Sequence, residues 1–355
     1  MAMRWGMTVP FAGLPLSDHG PVFSALVDAG FTDAWSSEVA GADAFTPLAL
    51  AAAWEPRLRL GSAIAPVFTR GPSLLAMSAA ALAEAAPGRF QLGIGASSPV
   101  VVGDWNAVDF SEPYLRSRDM LRFLKTALAG AMVDHDYGTF AVRRFRLERP
   151  PATAPQVLLA ALRPGMLRLA AAEADGVILN WLAATDVPTA LSEIRAGTPT
   201  EAGAGTTAGT GAATGTVTGA KTESDAERSA TGFDVVARIF VCPTADANYA
   251  RTVGRRLIAT YLNVPAYADF HRWLGRESVL APVWRAWAAG DRKAAVSAIP
   301  DSLVDELIMH GTPAACRDKV DAYARAGVTV PVMALLPTPD MSPATLPALI
   351  KALGR

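Results

Sequence analysis

A closed (β/α)8 barrel is the fold this sequence predicts, an α/β class with parallel strands, and two observations lead to it. Short apolar runs alternate with turns and amphipathic helical patterns along the whole chain, with strand-like runs at 4–10, 31–36, 58–65, 90–95, 156–161, 175–180, 233–242 and 328–336. Eight such alternations call for parallel strands joined by right-handed crossovers, and eight is the strand count of this barrel. The chain's 355 residues, 51% hydrophobic and 18% charged, suit one large domain spanning 1–355 with an extensive core. A doubly wound open sheet is the alternative arrangement of the same elements.

The elements follow in order. The first run leads into a helix with Phe23, Leu26, Val27 and Gly30 at helical spacing. The third, Leu58-Arg59-Leu60-Gly61-Ser62-Ala63-Ile64, passes through a turn to a helix opened by Pro72, since proline suits the first helical turn. Residues 132–150 form an excursion before the fifth strand, with Tyr137-Gly138 as its turn. The last full helix carries Cys316, Val320 and Tyr323 and stops at Gly327. Two further stretches interrupt the alternation. Residues 197–232, a Gly/Thr/Ala tract, lack the apolar bulk that offsets ordering entropy and read as a disordered insertion. Residues 266–310, with Trp273, Trp284 and Trp287, read as short helices inserted after the seventh helix.

Composition removes several function classes. The 32 basic and 33 acidic residues leave a net charge of -1, no footprint for nucleic acid or an anionic membrane. No run reaches the roughly 18 apolar residues of a membrane span, and the start of the chain lacks the apolar stretch of a signal peptide. Cys242 and Cys316 read as buried free thiols, and the expected location is the cytoplasm. His19, His135, His271 and His310 stand apart, without metal-ligand spacing, so no metal site is expected. Gly93-Ile94-Gly95-Ala96-Ser97-Ser98 lacks the third glycine of a dinucleotide fingerprint, and no Gly-x-Ser-x-Gly frames a nucleophilic serine there.

The remaining candidates are strand ends, because a (β/α)8 barrel carries its chemistry at the C-terminal face. Strand two ends Ala34-Trp35-Ser36-Ser37-Glu38, strand four reads Gly88-Arg89-Phe90-Gln91-Leu92-Gly93-Ile94-Gly95, and strand six is entered through Ala174-Asp175-Gly176. With the third-strand segment from Gly61 to Pro72, these patterns resemble the luciferase-like flavin and deazaflavin oxidoreductases, and within them the coenzyme F420-dependent actinobacterial type. The likeness covers nearly all of the chain outside 197–232.

The resemblance implies a bulge and a cis peptide at Ala63–Ile64, pressed against the cofactor ring. It also implies that Glu38 is the polar side chain nearest that ring, an acceptor or a general acid. Many relatives carry His directly after this acidic residue, where Val39 stands here. Cofactor phosphate is expected between Ala96-Ser97-Ser98 and the turn Ala161-Leu162-Arg163-Pro164-Gly165-Met166. There a helix beginning near Pro164 leaves amides unpaired beside Arg163. Asn180 and Trp181 close strand six at the mouth, as a ring or substrate contact and a stacking face. The function implied is hydride transfer between reduced coenzyme F420 and a small organic substrate. An FMN-dependent monooxygenase using molecular oxygen is the alternative, and a non-catalytic binder of a flavin-like ligand is the second. Relatives pair through helices two and three, here Phe45–Glu55 and Ser73–Ala86, which implies a homodimer.

Overall fold

The computed structural model describes residues 3–198 and 232–355, so the tract expected to be disordered lies, apart from its ends, outside the described residues. In chain order the strands are β1 (Gly6–Val9), β2 (Asp33–Ser36), β3 (Arg59–Ser62), β4 (Ala65–Pro66), β5 (Phe90–Gly95), β6 (Val133–Asp136), β7 (Ala141–Phe145), β8 (Gln156–Ala160), β9 (Gly176–Asn180), β10 (Asp234–Cys242), β11 (Ile308–His310) and β12 (Val330–Leu335). Eight of them close a parallel ring in the order β1-β2-β3-β5-β8-β9-β10-β12 and back to β1. The closing pair runs from Asp234 opposite Gly176 to Arg238 opposite Asn180. Closure leaves no edge strand, which excludes the open-sheet alternative. Strands β6 and β7 form the antiparallel hairpin of the 132–150 excursion, with the Tyr137 amide donating to the Phe140 carbonyl.

The helices are α1 (Gly20–Asp28), α2 (Thr46–Trp54), α3 (Pro72–Ala85), α4 (Pro113–Leu128), α5 (Pro164–Glu173), α6 (Val187–Gly197), α7 (Ala247–Tyr261), α8 (Pro265–Trp273), α9 (Glu277–Ala288), α10 (Arg292–Ser297), α11 (Asp301–Leu307), α12 (Pro313–Arg325) and α13 (Leu346–Leu353). Proline opens the first turn of α2, α3, α4, α5 and α12, where its missing N–H costs nothing. Gly30 and Gly327 follow α1 and α12 with φ of 87° and 111°, the left-handed stop that a side chain resists. None of the described helices is long and apolar enough to cross a membrane.

One connection differs from the sequence reading. The excursion leaves the C-terminal end of β10 at Ala247, runs through α7 to α11 and β11, and only then reaches α12. Helix α12 is the barrel's seventh helix, with Cys316, Val320 and Tyr323 buried in the main core. The amphipathic pattern of α7 resembles that of a barrel helix, which is why the sequence places the insertion one helix too late. The excursion therefore stands over the mouth. Its buried Ile258, Leu280, Val283 and Leu303 share a core with Trp181, Phe240 and Cys242.

Inside the ring the side chains form layers. At the N-terminal end Arg4 pairs with buried Asp33 and, at 2.6 Å, with Asp234. Gln91 accepts from Arg4 at 2.8 Å and donates to Gln156 at 2.6 Å and Asp234 at 2.7 Å. Above this polar floor lies Trp35, almost fully buried, with Leu158, Ile178, Val236, Val330 and Val332 around it. The indole fits because its neighbours on both sides are glycine. A Cβ at Gly61 would stand 2.4 Å from the benzo ring of the indole, and one at Gly6 would stand 2.9 Å from Cδ1 of its five-membered ring. Gly61→Ala is expected to cost about 1–3 kcal/mol through overpacking. Trp35→Phe removes the clashing ring atoms, so the Gly61→Ala penalty measured by urea unfolding should shrink in that background. An equal penalty in both backgrounds would show that the indole is not the constraint.

Candidate active site at the barrel mouth

The C-terminal ends of β3, β5 and β8 build one wall of the mouth from small apolar groups. The Ala63–Ile64 peptide bond is cis, as the resemblance implies. The segment is tied to β2 on both sides: the Ala63 amide donates to the Ser36 carbonyl at 2.7 Å, and the Glu38 amide donates to the Ile64 carbonyl at 3.3 Å. Ile64 and Ala160 are only partly buried. Between them sits Gly95, where an added Cβ would meet the Ala160 Cβ at 2.9 Å and Ile64 Cγ1 at 3.3 Å. The result is a closely packed apolar wall at the strand ends. Ala96 continues it, and Ser97 turns the chain with φ of 68°.

Glu38 accepts hydrogen bonds from its own loop and from the loop ahead of α3. Arg70, from the loop ahead of α3, donates to its carboxylate at 2.6 Å and 3.1 Å, and the Ala44 amide donates at 2.8 Å. Asp43 approaches the same guanidinium at 3.5 Å. The carboxylate is used as an acceptor that fixes the β2 loop, and a general-acid role finds no support in this geometry. Arg163 also has a partner within the protein. It caps α5 in an extended conformation, but its guanidinium pairs with Asp269 of α8 at 2.7 Å, half exposed on both sides. What faces the β5 loop at this turn is therefore backbone: Gly165 and Met166 lie in the first turn of α5, after Pro164, and their amides have no partner within the helix. Ala161 still belongs to the sheet, donating to the Ile178 carbonyl at 3.0 Å, and Leu162 packs its side chain against the core. Ser98 accepts from the Val101 amide through its hydroxyl at 3.3 Å, ahead of a short π-helical turn at Val100–Asp104.

Trp181 is a core residue rather than an open stacking face. It is 1% exposed, with its ring 4.2 Å from that of Phe240 and 5.2 Å from that of Tyr261. Asn180 does face the mouth region, donating to the Tyr267 hydroxyl at 3.1 Å while its own carbonyl accepts from the Trp181 amide. Beside Asn180 on β10 lies Arg238, a residue the sequence reading passed over. The signal was present as a single charge in the apolar run Val235-Val236-Ala237-Arg238-Ile239-Phe240-Val241. In strand alternation Arg238 shares a face with Val236 and Phe240, inside the ring. Its guanidinium lies 4.8 Å over the Phe240 ring. Nε is buried without a hydrogen-bond partner, and no carboxylate pairs with it among the described residues. Burial pushes its pKa below the usual arginine range.

Other reactive groups are occupied or sealed. His19 accepts from the Phe11 amide at 3.0 Å and reaches the Pro15 carbonyl at 2.9 Å, which fixes the loop after β1. Burial pushes the Cys242 thiol up to about 11 and that of Cys316 to about 12, so neither supplies a thiolate near neutral pH. Among the described residues no three His, Cys, Asp or Glu side chains gather as a metal site. A cavity of about 140 Å³ lined by Arg59, Phe90, Thr153 and Gln156 opens at the opposite, N-terminal end. It is below the roughly 300 Å³ of a small-molecule site.

The fold is a (β/α)8 barrel whose strand ends bring the candidate residues together at one mouth. The chain belongs to the luciferase-like monooxygenase family, whose profile matches residues 12–330. A Mycobacterium tuberculosis protein, provisionally named a coenzyme F420-dependent oxidoreductase, is 28% identical across 93% of this chain and 94% of its own length. Among solved structures, the coenzyme F420-dependent tetrahydromethanopterin reductase of Methanopyrus kandleri superposes with a TM-score of 0.71 at 18% identity, over 100% of this chain and 98% of that one. The FMN-bound oxygenating constituent of 3,6-diketocamphane monooxygenase from Pseudomonas putida superposes at 0.60 with 17% identity, over 100% and 97%. At these identities the two structures establish the shared fold.

The excursion over the mouth brings a buried histidine whose titration is measurable. Burial holds His271 of α8 down at about 3, and the charge of nearby Arg276 pushes in the same direction. The unfolded chain takes up a proton near pH 6.5 that the folded chain refuses, so stability is full above that pH and falls as the pH drops toward 3. Between pH 6.5 and 4.5 the loss should reach about 2–3 kcal/mol. Urea midpoints for wild type and His271→Gln should diverge above pH 6.5 and converge on acidification. Parallel pH profiles would contradict a neutral buried imidazole.

Proposed function

We propose that this chain is an oxidoreductase that holds coenzyme F420 at the barrel mouth and transfers a hydride between it and a small organic substrate. The observation that supports the reading is the run of strand ends Ala63, Ile64, Gly95 and Ala160, where the missing side chain of Gly95 lets Ile64 and Ala160 close together into one apolar wall. The family relatives named for coenzyme F420 favour the deazaflavin over FMN. When bound, the deazaflavin supplies the hydride chemistry at its ring; the protein's share is placement and proton handling.

In this reading the ring lies flat on the β3–β5–β8 wall, and the backbone at Ala63–Ile64 keeps one face covered from water. The first-turn amides of α5, at Gly165 and Met166, receive the phosphate with the hydroxyls of Ser97 and Ser98. Unpaired N–H groups and the positive end of the helix dipole favour an anion at this position. Arg163 contributes little, being committed to Asp269. Glu38 and Arg70 hold the loop that borders the ring, and Asn180 with Tyr267 presents hydrogen-bonding groups from the far side. An FMN-dependent monooxygenase is the second reading, favoured by the FMN-bound structure of the same fold. The proposal extends to a homodimer through α2 and α3, where Trp54, Leu74 and Met77 leave apolar side chains in solvent.

Titration of the purified protein with coenzyme F420 and with FMN, followed by absorbance, separates the readings, since the two rings absorb at different wavelengths. Tight binding of F420, and oxidation of its reduced form only when an organic acceptor is added, is the expected result. Oxygen uptake with reduced FMN would favour the monooxygenase, and binding without any turnover would favour a binding protein. Gly165→Pro removes one amide donor while suiting the first helical turn, and should weaken cofactor binding by about 1.5–3 kcal/mol. Arg163→Ala breaks only an exposed pair and should change affinity by less than about 1 kcal/mol. A reversal of these two effects would move the phosphate from the helix amides to the guanidinium.

A further inference from the structure

Arg238 is a cation with no carboxylate to answer it among the described residues. Its Nε is buried and unpartnered, and its guanidinium stacks on Phe240 instead of meeting a carboxylate among the described residues. A charge held in this way costs stability unless an opposite charge arrives. Its surroundings are also short of acceptors. Tyr267 accepts from Asn180, which leaves its own O–H without a partner among the described residues. The indole N–H of Trp181, packed on the same Phe240 ring, is likewise buried and unused. Tyr261 and Tyr267 are the titratable groups that feel the guanidinium, and burial pushes the Tyr267 hydroxyl up. Donors without acceptors, set among aromatic rings, suit an anionic oxygen.

The position in the ring says whose oxygen it is. Strand β10 stands four places from β3 in a ring of eight, on the opposite side of the barrel from the Ala63–Ile64 wall. A planar cofactor on that wall leaves the space between the wall and β10 to the second reactant. The geometry points to a substrate-carboxylate subsite on β10 and α8, with Arg238 supplying the charge and the Tyr267 hydroxyl a second donor. The substrate class is a small organic acid with an apolar or aromatic body that packs on Phe240 and its neighbours. This assignment rests on the deazaflavin reading for the substrate's role, but its test does not need the cofactor.

Benzoate and its neutral isostere benzamide are the probes, titrated into the purified protein by calorimetry. Wild type should bind benzoate at least about 30-fold more tightly than benzamide, the scale of a charge-assisted contact. Arg238→Met should abolish that preference, Arg238→Lys should keep part of it, and Tyr267→Phe should weaken benzoate by about 5–10-fold. Arg238→Met should also raise the thermal midpoint, because it removes an unpaired buried charge, whereas a structural arginine would lower it. Coenzyme F420 binding by Arg238→Met should stay within about 3-fold of wild type, less than one lost hydrogen bond. Equal affinity for the two probes, no saturable benzoate binding at millimolar concentrations, or undiminished benzoate binding by Arg238→Met would overturn the subsite. Loss of F420 together with benzoate in that variant would also overturn it, by placing the guanidinium on the cofactor side. If wild type binds benzoate as expected but not F420, the cofactor reading fails and the carboxylate subsite stands.

Discussion

One side chain sets how deep the mouth is. Trp35 lies across the barrel interior and is tolerated only because β1 and β3 present Gly6 and Gly61 to it. A closed eight-stranded ring must be filled by side chains, since an empty interior forfeits dispersion contacts along its whole lining. With an indole at mid-height and the Arg4–Asp33–Asp234–Gln91 network beneath it, the lower barrel is full. The layer above can then be small. Ala63, Gly95 and Ala160 form its small-residue wall, and the polar groups of the mouth, Asn180 and Arg238, stand on the next two strands of the ring, β9 and β10.

The same packing explains motifs that look functional in the sequence. Gly93 of the strand-four pattern has no room for a Cβ, which would sit 1.9 Å from the Ser62 carbonyl oxygen and 2.3 Å from Ile178 Cδ1. Arg89 of that pattern donates to the Leu58 carbonyl at 2.6 Å. In Ala174-Asp175-Gly176, Asp175 accepts from the Val157 amide at 2.8 Å and pairs with Lys125 at 2.9 Å, while Gly176 allows β10 to approach. These residues lock neighbouring strands at the bottom and middle of the ring. Of the pattern residues, Gly95 is the one that borders the ligand wall.

The barrel was legible because its information is local. Every ring strand falls within one of the eight apolar runs, and proline and glycine mark where helices begin and end. The order of the excursion was not, because α7 and α12 are both amphipathic and only contacts across the fold tell which one packs on the ring. Site residues divided along the same line. Ala63, Ile64, Ala96, Gly165 and Met166 are proposed to contribute mainly backbone, which their places at strand ends and at a helix start reveal. Glu38, Arg163 and Trp181 have partners far along the chain, at Arg70, Asp269 and Phe240. No spacing rule exposes such partners, and each of the three side chains is spent on them. Arg238 is legible only in the fold for the opposite reason: it has no acidic partner among the described residues, and that is visible only when the strand on each side is in place.

The central claim is that the ligand site is the C-terminal mouth, walled by β3, β5 and β8 and served by the α5 amides. Hydrogen–deuterium exchange with and without saturating coenzyme F420 tests it most directly, because amide protection reports location without presuming which side chains matter. The account predicts added protection in the segments 36–44, 62–67, 95–102 and 161–167 at the mouth, with 57–59 and 151–156 at the opposite end unchanged. Protection concentrated around Arg59 and Gln156 instead would put the ligand at the N-terminal cavity and contradict the account.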